Sequence, residues 1–312
     1  MQYLKVDYKN LNIAEELCLT IGNFDGIHKG HNKILEKLNK EANSLNAKSA
    51  ILSFDPHPKF YFDNSLRFLI NSKQKKIRIL EQKKIDYLID LNFNQELIDL
   101  TYSDFENKIL FENLKLKKIL IGNDFHYGNK RKGDIKTLKS FCEKASILYE
   151  NIDLLEDGKN TKISSTQIRE FLSLGKIEQA NTLLENPFSI KGVVIKGDQR
   201  GRTIGIPTAN LDYPDQIIKL PFGVYAVNIR VEGFDNNFFG IVNFGKRPTF
   251  NKSVEIIEAH IFDFDQDIYG KNIEVFFEGK IRDEKKFNGI KELLNQITLD
   301  ITIAKDKLNY GN

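Results

Sequence analysis

Residues 20–35 read TIGNFDGIHKGHNKIL. Just ahead, Leu17, Leu19 and Ile21 alternate as in a strand; Gly22 and Gly26 then break the run, and Ile34, Leu35 and Leu38 follow at helical spacing. The pattern predicts a strand, a glycine turn and a helix. A helix that starts behind glycines offers unpaired backbone N–H groups and the positive end of its dipole, where a phosphate can settle. His28 and His31 stand at that mouth, three residues apart, so both imidazoles can donate to one anion. A solvated surface loop is the competing reading of an isolated H-x-x-H, and the flanking strand and helix weigh against it.

Outward from this stretch the alternation continues. ELCLTIG, AILSF, IDYLIDL, KKILIGN and SILYEN read as short buried strands, while HNKILEKLNKEANSL, SKQKKIRILEQ, residues 95–111 and DIKTLKSFCEK carry apolar residues at helical spacing. Strands alternating with helices predict an α/β fold, a parallel sheet covered on both faces. Ligands of such sheets bind beyond the carboxyl ends of the strands, and the unusual residues of this half fall there. DPHPKF follows AILSF as a stiff loop, a role its two prolines alone would explain. DFHYGNKRKGD follows KKILIGN, and Asn123 before Asp124 has the form of a turn. In KISSTQIREFL, Ser164 or Ser165 supplies an N-cap, with Thr166 and Arg169 in the next turn.

At Pro187 the texture changes. SIKGVVIKG, GVYAVNIRV, NFFGIVNFG, EIIEAHIFDF and NIEVFFEGK are strand-like and joined by Gly, Asn and Asp turns, which predicts an antiparallel sheet or small barrel. Two domains follow, residues 1–186 and 187–312. Phe287, Ile290, Leu294, Ile297 and Ile301 predict a long final helix against that barrel. The run GVVIKGDQRGRTIGIPTANL places Gly192, Gly197, Gly201 and Gly205 in a pliable loop beside Arg200 and Arg202. Glycine turns are common in antiparallel proteins, so the loop alone says little. Glu258, within IIEAHIFDF, reads by itself as a solvated residue on a half-exposed strand.

The 312 residues carry 46 basic and 43 acidic side chains, a balance that suggests neither a nucleic-acid nor a membrane surface and points to small partners. Two cysteines in separate apolar segments argue against a disulfide framework or metal cluster and for a reducing cytoplasm. The N-terminus lacks the apolar core of a signal peptide, and no apolar run reaches membrane-spanning length.

GNFDGIHKGH resembles the G-x-F-D-G-x-H-x-G-H motif of the FAD synthetase module in bacterial bifunctional riboflavin kinase/FAD synthetases. That module is a Rossmann-like nucleotidyltransferase, which moves a nucleotidyl group onto a phosphate acceptor. The resemblance assigns Gly22, Phe24, Asp25, Gly26, His28 and His31 to the nucleotide site and His57 of DPHP to the flavin phosphate. DFHYGNKRKGD is similar to a further family element, with Tyr127 replacing its second aromatic, and Asn123 is then expected beside the ATP phosphates. The S-S-T-x-[IV]-R run implies hydroxyls of Ser164, Ser165 and Thr166 on phosphate oxygens and Arg169 on the charge that develops. Lys162 stands where the family usually has Arg, which keeps the charge, loses the bidentate fork and implies weaker ATP positioning.

Pro207-Thr208-Ala209-Asn210 resembles the P-T-A-N motif of riboflavin kinases, in which the Thr and Asn oxygens ligate the Mg²⁺ on ATP. By the same resemblance Glu258 is the catalytic base, the glycine loop with Arg200 and Arg202 binds nucleotide, and Asn243, Gly245 and Pro248 match a neighbouring element. Arg282, Glu284 and Phe287 of IRDEKKF look like the flap over the isoalloxazine ring, Phe287 being equally readable as core. The implied function is phosphorylation of riboflavin to FMN, then adenylylation of FMN to FAD, with ATP, Mg²⁺ and flavins as ligands and a monomer or weak homo-oligomer as the assembly. Two rivals remain at this stage: a nucleotidyltransferase for another phosphate acceptor, and a degenerate flavin-binding sensor.

Overall fold

The glycine turn at Gly22 ends a strand whose last five residues, Leu17 to Ile21, are all buried, as expected where both faces of a sheet are covered. The computed structural model describes residues 1–65, 67–152, 163–197, 201, 205–248 and 253–310. By their contacts these form two units, Met1–Leu66 with Lys73–Ser164, and Arg67–Ser72 with Ser165–Asn312.

The first unit is built on six parallel strands: β1 (Gln2–Val6), β2 (Ile13–Ile21), β3 (Lys48–Asp55), β4 (Tyr87–Asn92), β5 (Leu114–Gly122) and β6 (Leu148–Ile152). Its helices are α1 (Lys29–Ser44), α2 (Pro58–Phe62), α3 (Lys73–Gln82), α4 (Gln95–Asp99), α5 (Tyr102–Asp104), which runs on as a π-helical stretch Phe105–Phe111, and α6 (Ile135–Lys144). The strand order is β1-β4-β3-β2-β5-β6. From β2 the chain builds outward through β3 and β4, then crosses back to place β5 on the other side of β2. This reversal makes the carboxyl ends of β2 and β5 the switch point at which doubly wound sheets bind ligands.

Apolar stripes explain the layers. Ile34, Leu35, Leu38 and Ala42 of α1 and Ile79 and Leu80 of α3 cover one face of the sheet, while Leu97, Phe105, Ile109, Leu110, Leu138 and Cys142 cover the other. Burial pushes the thiols of Cys18 and Cys142 up to about 11 and about 12.

In the second unit, α7 (Ser165–Ser173) and α8 (Ile177–Leu183) precede β7 (Ser189–Val193), β8 (Ala209–Asp212), β9 (Gly223–Val231), β10 (Asn237–Pro248), β11 (Ser253–Ile261), β12 (Asn272–Asp283) and α9 (Ile290–Lys307). The strands pair antiparallel in the order β7-β12-β9-β10-β11-β8. Just past β7, Ile195 N–H donates to the Asn210 carbonyl at 2.9 Å, which draws the two outer strands together into a near-barrel. Phe188, Tyr225, Phe244 and Phe277 are fully buried in it. Ala304, Ile297 and Ile301 of α9, with Leu308 just past its end, pack on Val224, Ala226, Ile241 and Phe262.

Two features depart from the expected outline. The final helix begins at Ile290, with Gly289 as its N-cap, so Phe287 lies ahead of it, and Ile290 is 65% exposed rather than core. Both α7 and α8 stand before the boundary expected at residue 187, yet they group by contact with the barrel. Asn181 of α8 accounts for part of this: its amide donates to the Phe277 carbonyl at 2.8 Å and accepts from Phe188 N–H at 2.9 Å.

Candidate active sites

In the first unit the histidines are organised by the start of α1. His28 is the N-cap and its Nδ1 accepts the His31 backbone N–H at 3.2 Å, satisfying one of the orphan donors of the first turn. A ring nitrogen that accepts carries no proton, so the donor left on neutral His28 is Nε2–H. The His31 ring stacks on that of His28, centroids 3.7 Å apart and planes 16° apart. Phe24, 4% exposed, braces the pair from 4.8 Å. Gly30 allows the packing, because a Cβ there would lie 3.1 Å from the His28 ring. Gly26 takes a positive φ of 86° in the turn, and Asp25 beside it is buried.

At the adjacent end of β5, Asn123 accepts from the amide of Asn151. Gly22 and Asn123 directly follow the neighbouring strands β2 and β5, at the switch point of the sheet. His57 caps α2, its Nδ1 accepting from Lys59 N–H at 3.2 Å. Below it lies a charge cluster that the sequence did not single out. Lys73 bridges Asp55 at 2.7 Å and Asp90 at 2.9 Å, and Lys5 reaches Asp55 at 2.6 Å, tying the carboxyl ends of β3 and β4 beneath the DPHP loop. Burial works against the Lys73 charge, but Asp55, Tyr3 and Asp90 outweigh it and raise the ammonium above its ordinary value. Burial lowers Lys76, which donates to Ser53 Oγ at 2.7 Å.

Ser164 directly precedes α7, and Ser165, exposed Thr166 and Arg169 lie in its first turns. Arg169 Nε donates to the Phe68 carbonyl at 2.7 Å, and its guanidinium lies 4.8 Å from the Phe68 ring centroid. Lys162, Arg200 and Arg202 fall outside the described residues.

The second unit brings its expected residues together through strand register. Asn210 on β8 pairs with Glu258 on β11, which pairs with Asn243 on β10. Directly opposed residues of antiparallel strands share a face, so the three side chains form one row. Asn243 Nδ2 lies 3.4 Å from Glu258 Oε2, and Asn210 is 4% exposed. The glycine loop approaches them closely: a Cβ on Gly197 would strike the Asn210 amide, and one on Gly201 the Ile206 carbonyl, with Thr208 Oγ1 just beyond. At Gly192 a Cβ would press on Leu211.

A cavity of about 500 Å³ is lined by Pro207 and Thr208 of the P-T-A-N turn, by Ala259, the sequence neighbour of Glu258, and by Phe264, Ile268 and Tyr269 of the segment after β11. His260 Nδ1–H donates to the Pro207 carbonyl at 2.9 Å and secures the P-T-A-N turn to β11. His260, Phe264 and Tyr269 belong to none of the sequence motifs. Only the alternation of β11 hinted at His260, which shares a face with Glu258 two residues earlier.

Arg282 and Glu284 sit at and beyond the end of β12. The Arg282 guanidinium meets buried Asp300 on α9 at 2.8 Å and lies 5.7 Å from the Phe287 ring. The Glu284 carboxylate fills the space that a Cβ on Gly245 would need.

Comparison with known proteins finds a match for each half of the chain. Residues 11–167 match the family model described as FAD synthetase, and residues 184–308 match that described as riboflavin kinase. A protein of Haemophilus influenzae named bifunctional riboflavin kinase/FMN adenylyltransferase is 38% identical, the match covering 99% of this chain and 100% of that one. Its namesake in Bacillus subtilis is also 38% identical, with 96% of each chain covered, and that of Escherichia coli K12 is 35% identical, with 95% of each covered. A crystal structure from Streptococcus pneumoniae, named a macrolide-efflux protein, superposes with a TM-score of 0.88 at 30% identity over 97% of this chain and 98% of that one. No helix among the described residues is long and apolar enough to cross a membrane. With both family models matched in order and relatives of 35–38% identity spanning nearly the whole length, the chain belongs to the bacterial bifunctional riboflavin kinase/FMN adenylyltransferase family.

Proposed function

We propose that the barrel half phosphorylates riboflavin to FMN and that the parallel-sheet half adenylylates FMN to FAD, each with its own ATP. The row Asn210, Glu258, Asn243 carries the first assignment. Glu258 accepts the proton of the riboflavin 5′-hydroxyl as that oxygen attacks the γ-phosphorus of ATP and ADP departs. Asn243 holds the carboxylate through its amide. The adenosine of ATP occupies the cavity against Phe264, Ile268 and Tyr269, with its phosphates toward Thr208 and the glycine loop.

Thr208 and Asn210 offer neutral oxygens, a sparse hard-donor set that suits Mg²⁺, which fills its remaining positions with water and phosphate. Thr208 and Asn210 would hold the ion, and a bound Mg²⁺ would supply neutralisation of the triphosphate charge. Arg282 and Glu284 stand on the flavin side.

In the first half the nucleophile is an FMN phosphate oxygen, already anionic near neutral pH, so the site requires no base. It attacks the α-phosphorus of ATP and pyrophosphate leaves. His28, through Nε2–H, and His31 donate to the phosphates at the positive end of α1, and Asn123 stands at the neighbouring strand end. The tight turn with Gly22, Phe24, Asp25 and Gly26 holds both imidazoles, and His57 flanks the flavin phosphate. The run from Ser164 to Arg169 keeps the role its resemblance gives it.

Glu258→Gln and the pair His28→Ala with His31→Ala test the division. Purified protein is given riboflavin or FMN with ATP and Mg²⁺, and the flavins are separated. Glu258→Gln is expected to lose FMN formation by about 10²–10⁴-fold, the usual worth of a general base, and to go on converting FMN to FAD. The histidine pair is expected to make FMN normally and to lose FAD formation by about two orders of magnitude or more. FAD produced at the normal rate by the histidine variant rejects the first site, and FMN produced at the normal rate by Glu258→Gln rejects the base.

A further inference from the structure

Asp300 lies within α9 with 1% of its surface exposed. Arg282, near the end of β12, grips it with a fork: Nε is 3.0 Å from both carboxylate oxygens and Nη2 is 2.8 Å from Oδ2. The Gln296 amide adds a donor 2.9 Å from Oδ1, and Arg282 Nη1 turns to the Asp283 carbonyl at 2.9 Å. A buried ion pair adds little net stability over an apolar pair of the same volume, so the geometry it imposes is the more informative property.

Two residues beyond Arg282, the Glu284 carboxylate lies over Gly245, so close that a Cβ on that glycine would collide with it, and the Asn243 amide is 3.5 Å from the same point. Asn243 is itself the donor to Glu258. Arg282 is thus anchored to the interior of α9, and two residues further along the chain exposed Glu284 and the Asn243 amide both flank Gly245.

We propose that Asp300 is a positioning residue for riboflavin phosphorylation: by clamping Arg282 it holds Glu284 at the Asn243 edge of the site, where a carboxylate can accept hydrogen bonds from a polyol substrate. Asp300 itself touches no substrate. The inference rests on the reading of Glu258 as the base, and it predicts an effect on the alcohol substrate and not on ATP, whose cavity is lined by other residues.

The test measures FMN formation by the intact protein over ranges of riboflavin and of ATP for Asp300→Asn, Glu284→Gln and the two combined. Asp300→Asn is expected to raise the riboflavin KM about tenfold with the ATP KM within about twofold, the signature of lost substrate positioning. The double variant is expected to be no worse than the poorer single variant, since both changes act through one carboxylate. Equal rises in both KM values, no rise in either, or fully multiplicative effects of the two changes overturn the proposal. A parallel loss of FAD formation from supplied FMN also overturns it, by assigning Asp300 to stability alone.

Asp300→Asn leaves a half-buried guanidinium without its counter-charge. Should it fail to fold, Arg282→Leu with Asp300→Leu removes both charges and carries the same kinetic test. Glu258→Gln separates the two readings. If it retains FMN formation the base assignment falls, while a riboflavin-selective KM shift in Asp300→Asn still supports the clamp. If it is inactive and Asp300→Asn leaves the riboflavin KM unmoved, the clamp alone falls.

Discussion

Tyr127 replaces an aromatic residue without a hydroxyl in the family element it resembles, and its surroundings account for the extra oxygen. The ring is stacked on Phe125 at 5.3 Å, and the hydroxyl donates to Glu106 and lies 3.1 Å from Thr137 Oγ1. Glu106 is 6% exposed. Burial pushes its carboxyl above the usual range, and the Tyr127 hydrogen bond pulls it partly back. A carboxyl raised on folding binds its proton more tightly in the native state. Its contribution to stability is therefore greatest below the ordinary carboxylate range and is lost as pH rises through the raised value. Tyr127→Phe removes the compensating donor and raises Glu106 further. The variant is expected to be less stable by about 1–3 kcal/mol at pH 7.5, the cost of stranding a buried polar group, and by less at pH 4. Urea unfolding at the two pH values measures this, and a deficit that grows toward acid would contradict the pairing.

Among the elements, the long runs with a clear period were legible in the sequence, and the short or half-exposed ones were not. Strands β2 to β5 and helices α1, α3 and α6 have buried apolar runs or stripes, whereas β6, expected as a buried strand, buries only Ile152 and leaves Leu148 54% exposed. Strand β1 is largely exposed at the sheet edge, so QYLKV carries no apolar run, and β8 has only four residues following Pro207. The chemistry-bearing residues were readable as types in motifs, whereas the row of Asn210, Glu258 and Asn243 depends on register between strands distant in sequence, which local periodicity does not encode. The start of α1 adds a further point, because His28 both caps the helix and presents an imidazole. Asparagine is among the best N-caps, so His28→Asn separates the two roles. Its melting temperature is expected to match the parent, whereas His28→Ala loses about 1 kcal/mol with the cap. Both variants are expected to lose FAD formation alike, and recovery of that activity by asparagine would reduce His28 to a helix cap.

For the molecule as a whole, the question is whether the two reactions need to share a chain. Each half has its own core and its own complete strand order, and the reactive groups proposed for phosphoryl transfer all lie within the second unit. FMN, the product of one reaction and the acceptor of the other, is a small soluble anion that can pass through solvent. A mixture of Glu258→Gln with the His28→Ala, His31→Ala variant therefore contains one intact site of each kind, on different chains. Given riboflavin, ATP and Mg²⁺, the mixture is expected to make FAD after a lag in which free FMN accumulates, although neither variant alone completes the sequence. The lag should shorten as total protein is raised, because transfer through solution depends on concentration. FMN that accumulates without conversion, in a mixture that still adenylylates added FMN, would mean that product leaves the kinase site too slowly to be shared and that the covalent union of the halves matters to flux.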